Sequence, residues 1–218
     1  MKRKIIDTGD GSHSIFVEGL EESYHSAFGA VTESMHVFIH AGLMQIRKDP
    51  VHILEAGFGT GLNAFLSLEL SIREKRLIHY TAIEKYPLVK EEWEKLNYSR
   101  FVTGVPAGAL EGLHSCEWET WQEIGDCFRL FKTRQDIRDF HAGTGFDLVY
   151  FDAFAPGIQP ELWSPEVFSR LHSVMNEGGM LVTYSVKGQV RRDLAAAGFR
   201  IEKLPGAAGK RHMLRAVK

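Results

Sequence analysis

The sequence predicts an α/β chain built on a doubly wound sheet with an N-terminal extension, and three observations carry that reading. A glycine-rich junction, Ile53-Leu-Glu-Ala-Gly-Phe-Gly-Thr-Gly-Leu-Asn63, joins an apolar run to a helical pattern. Further short apolar runs at 77–83, 127–133, 146–151 and 178–185 alternate with helical stretches, the pattern of repeated βα units. Two of those runs end in a carboxylate, Glu84 and Asp152, where open α/β sheets present ligand-binding groups.

Residues 1–50 form the extension, separate from the domain of residues 51–218. The extension holds a turn cluster, Thr8-Gly-Asp-Gly-Ser-His13, and a strand over 14–17. Two stretches rich in aromatics and hydroxyls follow, Glu21-Glu-Ser-Tyr-His-Ser-Ala-Phe28 and residues 32–41, a mixture suited to covering a pocket as a lid. His36 and His40 are four apart, but no third ligand and no HExxH pattern accompany them, so no metal is expected.

In the junction, Gly57, Gly59 and Gly61 let the backbone turn at positive φ and approach a ligand without Cβ contact. The helix opening at Leu62 offers free N–H groups, with Phe58, Thr60 and Asn63 alongside. The G-x-G-x-G spacing departs from the dinucleotide G-x-G-x-x-G, and no Gly-Lys-Ser/Thr follows, which excludes a Walker A loop. Glu55, just before the glycines, suits a ligand carrying a positive amino group. The pattern resembles motif I of the class I S-adenosylmethionine methyltransferases, which implies S-adenosyl-L-methionine as cofactor.

The helix from Leu62 ends near Arg73-Glu-Lys-Arg76, and the strand over 77–83 delivers Glu84, the expected ribose ligand, with Lys85 beside it in the cofactor set. Pro87 opens the next expected helix, which carries Trp93 and Leu96. Residues 101–126 have no clear period. The strand over 127–133 leads to Asp136, whose carboxylate can accept from an adenine amino group in this fold, with Asp139 in reserve; an N-cap role is the alternative for either. Buried strand 146–151 delivers Asp152-Ala-Phe-Ala-Pro-Gly157. A carboxylate followed by aromatic and proline resembles the acceptor-amine loop of amino-methyltransferases, and Asp152 is counted both as a cofactor contact and as the catalytic group that orients the acceptor amine. Helices over 162–175 and 188–197 flank the strand at 178–185, and two strands around Pro205-Gly-Ala-Ala-Gly209 fit the antiparallel seventh strand of class I methyltransferases.

With 218 residues and 44% hydrophobic content, one domain with one ligand site is expected. No run approaches a membrane span and the first residues do not read as a leader, so a cytoplasmic protein is expected. Cys116 and Cys127 show no metal or framework spacing and read as free buried thiols. The net charge of -2 does not advertise a nucleic-acid binder, yet residues 187–218 hold nine lysines and arginines against Asp193 and Glu202. Such a run is either a solvated face or a phosphate-binding patch.

Nearly the whole chain resembles the methyltransferase half of the bifunctional tRNA wobble-uridine enzymes of MnmC type, called MnmD when that half stands alone. The carriers are Glu33-Ser-Met-His-Val-Phe-Ile39, the glycine junction, Ile83-Glu-Lys-Tyr-Pro87, Asp152-Ala-Phe-Ala-Pro-Gly-Ile-Gln-Pro-Glu-Leu-Trp163, Val190-Arg-Arg-Asp-Leu194, Ala197-Gly-Phe199 and Lys210-Arg-His-Met-Leu214. The resemblance implies a seven-stranded Rossmann-like sheet and methylation of the exocyclic amine of 5-aminomethyl-2-thiouridine in a tRNA anticodon loop. It further implies Tyr24 and Phe154 as pocket walls, Phe58 as a lining of the cofactor site, and Lys187, Arg191, Arg192, Lys210 and Arg211 on anticodon-loop phosphates. Tyr24-His25-Ser26 and Lys210-Arg211-His212 depart from the family's Tyr-Phe-Ser and Lys-Arg-Glu. No second glycine fingerprint is present, so the aminomethyl form is expected to come from another enzyme. A methyltransferase for a small-molecule or protein amine, a non-catalytic cofactor-binding protein and an NAD-dependent oxidoreductase are the competing readings. Oligomeric state is not legible.

Overall fold

The computed structural model describes residues 2–140, 143 and 145–218. Strands β1 (Arg3–Asp7), β2 (His13–Val17) and β3 (Glu22–Ser23) form a small antiparallel sheet, and helix α1 (Ala30–Ser34) runs on into a π-helical turn, Met35–His40. That turn closes with the Ala41 N–H on the His36 carbonyl at 3.1 Å. The alternation then begins: β4 (Val51–Ala56), α2 (Leu62–Glu74), β5 (Ile78–Ile83), the single turn α3 (Lys90–Trp93), α4 (Ala109–Ser115), β6 (Trp121–Glu123), β7 (Phe128–Thr133) and β8 (Phe146–Phe151). Helix α5 (Pro165–Val174), β9 (Met175–Thr183), α6 (Gly188–Ala196), β10 (Arg200–Pro205) and β11 (His212–Val217) complete the chain.

The main sheet runs β10-β11-β9-β8-β4-β5-β7-β6. Its five central strands are parallel, β11 is antiparallel to both neighbours, and β6 pairs antiparallel with β7. Side chains alternate between two cores. Ile53, Tyr80, Leu148 and Tyr150 face the core completed by α2, whereas Leu54, Val149 and Phe151 face the one completed by α5 and α6. A sheet covered on both faces explains why these strands read as continuous apolar runs. Strand order reverses between β4 and β8, and a crevice opens beyond their C-terminal ends at that switch point.

Three expectations change. The main sheet has eight strands, because Trp121–Glu123, inside the stretch without a clear period, adds an edge strand too short to show one. Pro87 lies outside its helix: the Glu92 carboxylate accepts the Val89 N–H at 3.0 Å, and the helix starts only after that cap. Cys116 and Cys127 are free but half-buried rather than buried.

The turn cluster of the extension caps α1 from a distance. Gly29 at the helix entry has no side chain, so Thr8 and Ser12 hydroxyls accept the Ala30 N–H at 3.2 Å and Asp10 Oδ2 accepts the Thr32 N–H at 2.9 Å. Burial opposes the Asp10 charge, yet hydrogen bonds from Ser12 and Thr32 hold its carboxyl well below the usual carboxylate range. Asp10→Ala is expected to destabilise the fold by about 2 kcal/mol, lowering Tm by roughly 4–8 °C. A depressed carboxyl stabilises above its unfolded value near ~3.9 and loses that contribution as pH falls below it, so the Tm gap between variant and parent closes on acidification.

Candidate active site

A cavity of about 560 Å³ occupies the crevice, roofed by residues of the extension including Tyr24, His25 and Glu33. Its floor is the glycine loop. Gly57 has φ 97°, and a Cβ there would lie 2.7 Å from the Asp152 carbonyl oxygen; at Gly59, φ 50°, one would lie 2.9 Å from the Tyr24 ring. The loop N–H of Gly59 donates to Glu84 Oε2 at 2.9 Å, and the Tyr86 N–H donates to Glu84 Oε1 at 2.8 Å. Glu84 is thus held at the end of β5 with lone pairs left over for two hydroxyls. Burial raises its carboxyl above the ordinary value, against those two N–H bonds.

Glu55 is fully buried behind the loop, and neither of its oxygens has a hydrogen-bond partner among the described residues. Burial, followed by the nearby Asp152 charge, pushes its carboxyl well above the usual range. Asn63 Nδ2 donates to Asp152 Oδ2 at 2.8 Å, while Asn63 Oδ1 is buried and unpartnered among the described residues. Thr60 is buried, its carbonyl held by His114 Nε2 at 2.9 Å and its hydroxyl 3.3 Å from His25 Nε2. Phe58 lines the cavity but is 3% exposed, its ring packed edge-on against His114 and Trp118. Gly61 opens α2 in the left-handed region.

Asp136 and Lys85 hold each other. Asp136 accepts from the Arg138 N–H and Nε on Oδ1, and from Lys85 Nζ at 2.9 Å and an Arg138 guanidinium nitrogen at 2.7 Å on Oδ2. Arg138 and Lys85 keep its carboxyl below the usual range despite burial. Four bonds fill the roughly four acceptor directions of a carboxylate, which leaves little for an adenine amino group. Asp139 is exposed.

At the other end, Asp152 leaves β8 with its N–H on the Ala56 carbonyl at 3.0 Å. The loop after it is pinned: Trp163 Nε1 donates to the Phe154 carbonyl and Tyr184 Oη to the Ala153 carbonyl, each at 2.8 Å. Tyr24 and Phe154 stand edge-to-face, ring centres 5.0 Å apart. Enclosure, then the charge of Glu33, pushes the Asp152 carboxyl up to about 7, against the Asn63 bond and the Lys210 charge. A carboxyl balanced near neutrality can take or return a proton at working pH.

The basic residues divide. Arg191 and Arg192 are exposed on α6, Arg211 is exposed beside β11, and Lys187 Nζ lies 3.2 Å from where a Gly157 Cβ would stand. Lys210 turns inward to pair with Glu33 Oε1, 4.2 Å over the Tyr184 ring. Glu33, His25, Tyr184 and Arg3 line the cavity as well. Sequence reasoning did not place these four in the site; Glu33 and His25 sat within stretches it had already singled out, whereas Arg3 and Tyr184 gave no signal.

The glycine floor, the braced Glu84 and the buried acidic groups fit a ligand with a ribose diol and positive charge, as S-adenosyl-L-methionine is. Among the described residues no helix is long and apolar enough to cross a membrane, and no cluster of metal-binding side chains forms. Residues 129–218 match the family described as S-adenosyl-L-methionine-dependent methyltransferase. The chain is 32% identical to the tRNA 5-methylaminomethyl-2-thiouridine biosynthesis bifunctional protein MnmC of Aromatoleum aromaticum, over 97% of this chain and 35% of that one. It is 33% identical to the MnmC of Cupriavidus metallidurans, over 88% of this chain and 31% of that one. The chain thus spans about a third of the length of the curated relatives it matches. The crystal structure of MNMC2 from Aquifex aeolicus superposes with a TM-score of 0.79 at 27% identity, covering 99% of this chain and 69% of that one.

Proposed function

The chain is an MnmC-like, class I S-adenosyl-L-methionine-dependent methyltransferase domain, and from that premise we propose that it methylates the aminomethyl group of 5-aminomethyl-2-thiouridine at the wobble position of a tRNA. The product is 5-methylaminomethyl-2-thiouridine. The observation that carries this reading is Asp152, poised near neutrality at the end of β8 in the cavity that Tyr24 and Phe154 also line, in a chain whose relatives are named for that nucleoside.

The cofactor supplies an electrophilic methyl group on a sulfonium. The residues of this chain do the rest, and little of it is covalent. Glu84 would take the ribose hydroxyls, whereas Glu55, expected on the cofactor's amino group, is fully buried and does not line the cavity. Lys85 and Asp136 close the adenine end as a charged pair, Asp136 turning an oxygen to the adenine amine only if that pair loosens. Asp152 Oδ2 is fixed by Asn63, which leaves Oδ1 to receive a proton from the incoming alkylammonium and then to orient the free amine. Tyr24 and Phe154, packed edge-to-face against each other, offer one aromatic wall for a flipped base and exclude water there, so that the amine is held in line.

Lys187, Arg191, Arg192 and Arg211, exposed and outside the cavity lining, would hold phosphates of the anticodon loop. Replacing Arg191, Arg192 and Arg211 together by alanine is expected to flatten the plot of log affinity against log salt by roughly 2, near 0.7 per lost phosphate contact. Filter binding across a salt series checks this, and an unchanged slope would put those residues outside the interface.

The deciding experiment is methyl incorporation from labelled cofactor into tRNA bearing 5-aminomethyl-2-thiouridine, with tRNA lacking the modification as control. Incorporation into the modified tRNA alone is expected. Cofactor binding without incorporation would turn the search to small-molecule or protein amines.

A further inference from the structure

Two charged residues 177 positions apart meet at the acceptor end of the cavity. Glu33, in the short helix α1, has its side chain 8% exposed; its Oε2 accepts the Ser26 N–H at 2.9 Å and its Oε1 takes Lys210 Nζ. Lys210 comes from the turn before β11, a third exposed, with its ammonium over the Tyr184 ring. Both line the same cavity as Asp152.

We infer that Glu33 and Lys210 are positioning residues of the methyl-transfer site, a charge clamp that keeps Asp152 and the acceptor nitrogen in their reactive protonation states. The inference rests on the reading of the acceptor as an amine. An alkylamine arrives from water protonated, and its lone pair is then unavailable. Two carboxylates without a counter-charge would hold it that way, since opposite charge favours the charged form. Lys210 neutralises Glu33, so a single carboxylate faces the amine, and its fixed positive charge disfavours a second cation beside it. The ammonium N–H bond then breaks, its electron pair stays on nitrogen as the nucleophilic lone pair, and the proton moves to Asp152 Oδ1. A lysine spent in this way is not a phosphate ligand.

The other groups facing Asp152 are Asn63 from α2, Tyr184 after β9, and deeper in the core Glu55 on β4, Tyr80 on β5 and Tyr98. The three tyrosines are held neutral by burial and Glu55 by burial and the charge of Asp152 itself, so the clamp supplies the charges that a substitution can change.

The sign of each substitution follows. Lys210→Met leaves Glu33 bare, and the Asp152 titration moves up by about one pH unit. Glu33→Gln moves it down by a similar amount. The double variant returns close to the parent, and Lys210→Arg keeps the parent position. The titration is read by NMR on protein carrying carboxyl-labelled aspartate, without substrate, the Asp152 signal being identified by its loss in Asp152→Asn. In parallel, kcat for modified tRNA is followed against pH and its midpoint moves in the same directions. If Lys210 held a phosphate instead, KM would rise by one factor at every pH and the Asp152 titration would not move, which overturns the clamp. If one single variant does not fold, the other still tests the clamp, because each alone is expected to move the Asp152 titration, and a parental position in the variant that folds overturns it. Shifts in the titration without methylation of tRNA by the parent would overturn the substrate reading and leave the clamp standing.

Discussion

Asp152→Asn lowers the rate of methyl transfer by about 10²- to 10⁴-fold, the usual worth of a positioned proton acceptor, while the protein remains folded and binds its cofactor. The amide keeps the shape of the carboxylate and an oxygen for the Asn63 amino group, so the bond of 2.8 Å has a replacement. What it loses is the capacity to take a proton. The parent rate constant is expected to rise with pH through the region near 7, where Asp152 ionises, and the variant to lack that limb. Stability moves the other way. A carboxyl raised from 3.8 to about 7 binds its proton more tightly folded than unfolded, so ionising it costs stability as pH climbs between those values. Asp152→Asn removes that cost, and its Tm at pH 8 should equal or exceed the parent's. Loss of activity together with a retained or raised Tm separates a catalytic group from a structural one. A variant with parental kinetics would remove Asp152 from the mechanism.

Gly57→Ala is expected to weaken cofactor binding by more than tenfold and to destabilise the fold by about 2–4 kcal/mol, roughly 4–16 °C in Tm. Two costs combine. The residue sits at φ 97°, where an L side chain is strained, and its Cβ would meet the backbone oxygen of Asp152 at 2.7 Å. That oxygen cannot retreat cheaply, because β4 and β8 are locked side by side and the Asp152 N–H is bonded to the Ala56 carbonyl. Gly178→Ala is the control: φ there is 74°, but a Cβ would meet nothing within 4 Å, so it carries the strain without the collision. Calorimetry on both variants decides. Equal losses would mean that close approach between the loop and β8 adds nothing.

The parallel strands were legible because each is a buried run bounded by turn residues, and the glycine junction because three glycines in five positions have few structural uses. Lys132 shows how far local pattern reaches. Alternation puts it on the same face as Phe128 and Leu130, and the structure keeps it there, fully buried. Its tolerance comes from elsewhere: Nζ donates to the carbonyls of Leu113 and His114 at the end of α4, at 2.7 and 2.8 Å, beneath the Trp118 ring. Nothing near Lys132 in sequence announces those carbonyls.

By itself the sequence determined the βα alternation, the place of the glycine loop and the carboxylates at the ends of β5 and β8, all consequences of periodicity and turn chemistry that act over a few residues. Tertiary structure alone decided how the charges are spent. It saturates Asp136 with Lys85 and Arg138, draws Lys210 away from Arg211 and into the cavity, and sets Glu33 in the same cavity as Asp152. It also caps α1 with side chains some twenty residues upstream. The reason is one of range: an apolar pattern is satisfied by any neighbouring apolar surface, whereas a buried charge needs one particular partner, and which partner arrives depends on how distant segments fold together.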